Sequence, residues 1–190
     1  MSMFNFILGR DKEVPMRTEG YKVPDVEFVF RENGEFVTRT TSDLFSGKKV
    51  VIFSLPGAFT PTCSAYQLPG FEDNYDTFRG LGIDEIYCIS VNDGFVMNAW
   101  GKDQGIDKVT LIPDGNAYFT RGMGQLVTKS NLGFGERSWR YAAVVDNGVI
   151  EKMFVEEGQQ DNAPTDPYEI STPENVLEYV KSTVREVATI

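Results

Sequence analysis

The chain has 190 residues, with 18 Lys and Arg against 28 Asp and Glu for a formal charge of −10 at pH 7, two cysteines and no histidine. Without an imidazole, a His-based triad, a His-ligated zinc and a His general base are excluded, and an acidic surface with scattered Lys and Arg argues against a nucleic-acid partner. No apolar run approaches the about 20 residues that cross a bilayer, and residues 1–8 lack the basic segment of a secretory signal, so a cytoplasmic protein with no membrane partner is expected.

Residues 1–20 mix charge with Pro15 and Gly20 and read as an N-terminal arm; residues 21–190 read as one domain. Val26–Phe30 and Phe36–Thr38 flank Asn33-Gly34, whose tolerance of positive φ predicts a hairpin. Lys49–Leu55 is an apolar run suited to a strand buried on both faces, and it stops at Pro56-Gly57. Phe71, Tyr75, Phe78 and Leu81 then recur at helical spacing up to Gly82, and Ile83–Val91 resumes as a second buried strand. A helix through Phe95–Trp100 and a short strand at Val109–Ile112 follow. Arg140–Val145 and Val149–Val155 flank Asp146-Asn147-Gly148 as a second hairpin. Thr172-Pro173 opens a terminal helix with Val176, Val180, Val184 and Val187 as its apolar stripe. These elements make an α/β fold, a central mixed sheet with helices on both faces and an N-terminal hairpin.

Two cysteines cannot frame a domain of this size with disulfides, so each is kept for packing or for reactivity. Cys63 lies between a buried strand and a helix, at a sheet edge where sites are commonly built. With Thr60 as N-cap and Pro61 at the first helical position, Cys63 falls in the first turn, where the helix dipole and free backbone N–H groups favour the thiolate. A Cys that merely packs there is the alternative. Pro56 and Phe59 supply an apolar wall and Thr60 a hydroxyl; no Lys or Arg lies between Lys49 and Arg79 to add a cation locally. Cys88 lies in a strand with apolar residues on both faces, where packing is the default. Arg137 and Arg140 are three apart at the start of one expected strand, so alternation directs only one of them toward Cys63.

Pro56-xxx-Thr60-xx-Cys63 matches the Pro-x-x-x-Thr-x-x-Cys motif of peroxiredoxins, and Phe53–Cys63 resembles their peroxiredoxin 5-like or type II branch, which includes plant type II enzymes and bacterial peroxiredoxin-glutaredoxin hybrids. The likeness continues through Ser90–Asp93, Phe95–Trp100, Ile112–Gly115 and Gly133–Gly135 to Arg140-Tyr141. The resemblance implies a thioredoxin-like fold and a thiol peroxidase that reduces hydrogen peroxide and alkyl hydroperoxides without metal or cofactor. In it Cys63 is the peroxidatic cysteine that becomes a sulfenic acid, Thr60 holds the peroxide, Pro56 shields the sulfur, and Arg140 activates it. Backbone N–H groups of Thr62 and Cys63 stabilise the leaving oxygen, and Phe59, Thr62 and Phe134 line the pocket, with Trp139 as a further candidate. Cys88 stands 25 residues after Cys63, as a resolving cysteine does in plant relatives, and is the candidate for that role. The branch usually has His where this chain has Gln67, which hydrogen-bonds but does not titrate. Glutathione with a separate glutaredoxin, or thioredoxin, is the implied reductant, and a homodimer the implied assembly. The rival function is a peroxide sensor or redox relay that passes oxidation to a client protein.

Overall fold

The apolar run after Lys49 is the middle strand of the molecule. In a computed structural model that describes residues 14–189, β3 (Lys49–Ser54) is flanked by β4 (Glu85–Ser90) and β8 (Tyr141–Asp146), and β5 (Thr110–Pro113) and β9 (Val149–Val155) close the edges in the order β5-β4-β3-β8-β9. β3, β4 and β5 are mutually parallel, while β8 runs antiparallel to both β3 and β9. The sheet is therefore mixed, as expected. Alternation sends Val51, Phe53, Ile86 and Cys88 to one face and Val50, Ile52, Tyr87 and Ile89 to the other.

Both faces are covered. On the first, α2 (Leu68–Asp73), α3 (Tyr75–Gly80), α4 (Gly94–Asp103) and α6 (Pro173–Ala188) bring Phe71, Phe78, Trp100 and Val176 onto the sheet, with Phe53 and Phe71 stacked at 4.2 Å between centroids. On the second lie α1 (Thr41–Phe45), α5 (Tyr118–Gly122) and the hairpin of β1 (Glu27–Glu32) and β2 (Glu35–Thr40). The Asn33-Gly34 turn has φ of 48° and 82°, the left-handed pair that the twist of a two-residue hairpin requires.

Three expectations need revision. The helix expected from Phe71 to Leu81 is broken at Asn74, whose side-chain amide donates to Gly70 O at 2.7 Å and competes with the backbone ladder. The valine stripe of α6 covers the core only through Val180; Val184 and Val187 run past the sheet and are exposed. Arg137 and Arg140 do not share a strand. Arg137 belongs to β7 (Glu136–Ser138), which among the described residues pairs only with β6 (Leu126–Thr128) in a separate two-stranded sheet, and Arg140 lies in the link to β8.

Of the arm, residues 1–13 lie outside the described residues. Residues 14–20 dock on the domain: Arg17 donates its backbone N–H to Met123 O at 3.0 Å and Nε to Gly122 O at 2.9 Å, and Gly20 N–H reaches Ile150 O at 2.8 Å. Gly124 makes this approach feasible. Its φ is +72°, and a Cβ there would stand 2.5 Å from Met16 backbone atoms. Gly124→Ala is expected to cost about 1–3 kcal/mol, read as a lower urea midpoint, and to expose Arg17 to trypsin faster than the rest of the chain.

Candidate active site

Cys63 is placed at the carboxyl end of β3 by a loop and a widened helical turn. The loop turns at Gly57–Thr60, where Thr60 Oγ1 donates to Gly57 O at 2.7 Å and Phe59 takes a φ of 63°. Such a conformation is rare for a bulky side chain and stores strain of about 1–3 kcal/mol; Phe59 is left 53% exposed at the lip. Asn92, from the loop after β4, fixes the far side by accepting Ala58 N–H at 3.0 Å and Ser90 Oγ at 2.7 Å through Oδ1. The helix starts at Pro61, with Cys63 in its first turn, and Thr60 O accepts from Ser64 N at 3.0 Å.

From Cys63 to Gln67 the helix is a π-turn, with Leu68 N–H bonded to Cys63 O. Pro69 gives a physical reason. In an α register it would clash with Ala65 O and offer it no N–H, and widening the preceding turn relieves both. Trp100 steadies the turn from α4, its indole N–H donating to Ser64 Oγ at 2.9 Å. Cys63 is fully buried, as is Gln67.

Arg140 arrives from 77 residues further along the chain. Its Nη1 stands 3.4 Å from Cys63 Sγ and donates to Gln67 Oε1 at 2.5 Å, while Nη2 meets both oxygens of Asp166 at 2.7 and 2.8 Å. The guanidinium also faces the Tyr168 ring at 5.6 Å. Arg140 is 1% exposed, whereas the Asp166 side chain is 43% exposed. Burial pulls the guanidinium pKa down, but the Cys63 sulfur and Asp166 together hold it above its ordinary value. A cation kept charged 3.4 Å from the sulfur offers it a charge-assisted hydrogen bond.

Nothing in the sequence singles out Asp166 or Tyr168. They are set by Glu156, which is buried and whose Oε1 accepts from the backbone N–H groups of Glu169, Ile170 and Ser171 and from Ser171 Oγ, all within 3.0 Å. An acidic residue followed ten positions later by Asp-Pro-Tyr carries no local signal; only the folded loop shows that Glu156 anchors the strap lying over Arg140.

Arg137 also turns toward the site, against the alternation argument. Its Nη1 donates to Pro56 O at 3.2 Å and its Nε to Phe134 O at 3.1 Å. Pro56 is buried, Thr60, Thr62 and Phe134 are half-buried, and Trp139 is interior, its indole N–H on Glu156 O at 2.7 Å. Cys88 lies on the same sheet face as Cys63 but in mid-strand, paired in register with Phe53 and Leu111. Burial pushes its thiol well above the ordinary value, and the nearby Cys63 charge adds to the shift. Both cysteines are free. No described helix is long and apolar enough to cross a membrane.

The family model described as Redoxin matches residues 18–169. A curated relative named "Peroxiredoxin", from Rhizobium etli, is 57% identical over 172 residues, covering 90% of this chain and 96% of that one. "Hybrid peroxiredoxin hyPrx5" of Haemophilus influenzae is 51% identical over 162 residues, 85% of this chain and 66% of the relative. Among solved structures, the Plasmodium falciparum antioxidant protein, titled a 1-Cys peroxiredoxin, superposes with a TM-score of 0.84 at 44% identity, over 87% of this chain and 99% of that one.

Proposed function

The chain belongs to the Redoxin family and within it to the peroxiredoxins, thiol peroxidases of thioredoxin-like fold, and from that premise we propose that Cys63 is the sulfur that attacks the peroxide. The observation that carries the assignment is the 3.4 Å approach of Arg140 Nη1 to Cys63 Sγ. The thiolate attacks one peroxide oxygen in line: the S–O bond forms, the O–O bond breaks, and the departing oxygen takes a proton and leaves as water or an alcohol. Cys63 is oxidised to a sulfenic acid and the peroxide is reduced. Arg140 holds the thiolate and polarises the O–O bond. Thr60 Oγ1 commits its proton to Gly57 O, which leaves its lone pairs to accept from the peroxide O–H. Thr62 and Cys63 N–H groups, in the first helical turn with no carbonyl behind them in the helix, stabilise the leaving oxygen. Pro56 shields the sulfur, and Phe59, Thr62 and Phe134 line the approach.

Reduction comes from outside the chain. Cys88 sits in a central strand bonded on both sides, its thiol buried in the core. We therefore assign it to the core and give the reductive step to glutathione with glutaredoxin, in keeping with the hybrid relative, or to thioredoxin. Two free buried thiols suit the cytoplasm, and the exposed Phe59 lip suits a homodimer contact.

Intact-mass analysis after peroxide treatment tests the reductive half. Wild type and Cys88→Ser are both expected to gain a single oxygen on Cys63, trapped by a sulfenic-acid reagent or displaced by glutathione. Loss of two hydrogens in wild type alone would make Cys88 the resolving cysteine. Supplied with glutathione and glutaredoxin, the protein is expected to consume peroxide in many-fold excess; stalling near one equivalent would mark a relay awaiting its client.

A further inference from the structure

We propose that Arg137 is a carboxylate-binding residue at the mouth of the Cys63 pocket, selecting for a carboxylate on a molecule that reacts there. The proposal deepens the thiol-peroxidase reading and rests on it. Two backbone carbonyls, Phe134 O and Pro56 O, fix the guanidinium, and the Phe134 ring lies 5.3 Å from its centre. It is packed tightly against the loop leading to the sulfur: a Cβ on Gly57 would come within 2.1 Å of its Nη1. Carbonyls orient a guanidinium but bring no full negative charge.

Among the described residues Arg137 has no carboxylate in ion-pair reach. Its neighbour Glu136 pairs with Arg121 at 3.7 Å, and Asp166 is engaged by Arg140. Arg140 therefore has an acidic partner and Arg137 does not. Burial pulls the Arg137 pKa below its ordinary value, and the charge on Cys63 opposes that shift. The sulfur is thus the counter-charge that this half-buried cation feels within the site. When Cys63 passes from thiolate to a neutral sulfenic acid, that counter-charge is lost, and an incoming carboxylate restores it. The charge sequence favours recognition at the reductive step. There a thiol attacks the Cys63 sulfur, an S–S bond forms, the S–O bond breaks, and the hydroxyl leaves with a proton as water. A carboxylate borne by an acidic hydroperoxide presents the same chemistry at the oxidative step.

The test compares acid and ester forms of each reagent by single-turnover kinetics on wild type, Arg137→Gln and Arg137→Lys. One arm discharges the sulfenic acid with glutathione or its dimethyl ester; the other oxidises the reduced protein with linoleic acid hydroperoxide or its methyl ester. The acid-to-ester rate ratio is expected to fall about fivefold from wild type to Arg137→Gln and to be largely restored by Arg137→Lys; the arm that shows the fall identifies which molecule carries the carboxylate. A ratio that stays within about twofold of wild type in both arms overturns the proposal. Ratios within one variant cancel any general loss of activity. Failure of the underlying reading shows earlier and differently, as no sulfenic acid on Cys63 when wild type meets hydrogen peroxide.

Discussion

Cys63→Ser is expected to reduce peroxide consumption to the rate of buffer, with the fold intact. A serine hydroxyl fits the space of the thiol and accepts the same donation from Arg140, so packing against the first sheet face changes little. What disappears is the nucleophile proposed above: a hydroxyl beside one guanidinium does not ionise appreciably near neutrality, and its oxygen is far less nucleophilic toward an O–O bond than a thiolate. Cys88 does not take over, because its thiol is shut inside the sheet and burial keeps it protonated. The measurement is peroxide loss with glutathione and glutaredoxin present, alongside circular dichroism of the variant. Turnover at the wild-type rate would remove Cys63 from the reaction.

The elements that place this sulfur were legible wherever one local rule decided them. The β3 run, the Asn33-Gly34 turn and the Thr172-Pro173 start of α6 each follow from periodicity or cap chemistry within a few residues, and all three are present. The π-turn from Cys63 to Gln67 leaves one local signal, Pro69, which has no N–H to give Ala65 O in an ordinary turn. Alternation does not keep Arg137 away from the site that Arg140 reaches, because period two applies only within one strand and the chain leaves β7 before Arg140. Asp166 was invisible for another reason. Its meeting with Arg140 depends on Glu156 gathering three successive N–H groups, a contact of the folded loop that no spacing encodes.

The same strap bears on how far the arginine can be trusted to stay in place. Arg140 Nη1 bridges Cys63 and Gln67 while Nη2 is clamped by Asp166, so the guanidinium plane is fixed before any substrate arrives. Gln67 contributes an acceptor that stays neutral across the working pH range. An acceptor of constant charge next to Arg140 leaves Asp166 as its carboxylate partner among the described residues.

Arg140→Met is expected to slow attack on hydrogen peroxide by roughly 10²–10³-fold, the loss that follows removal of one preorganised donor at a developing charge. Methionine matches the length and apolar character of the buried stem, so the fold should survive. Asp166, already partly exposed, turns to water, while Gln67 Oε1 is left buried without its donor, at a cost of about 1–3 kcal/mol. The two effects separate in the measurements: the thermal midpoint falls modestly, whereas the second-order rate of Cys63 oxidation collapses even at temperatures where the variant is fully folded. Arg140→Lys should recover only part of the rate, because a single ammonium cannot reach the sulfur, Gln67 and Asp166 together. A methionine variant that oxidises as fast as wild type would mean that the guanidinium 3.4 Å from the sulfur is a packing neighbour and that the helix start alone activates the thiol.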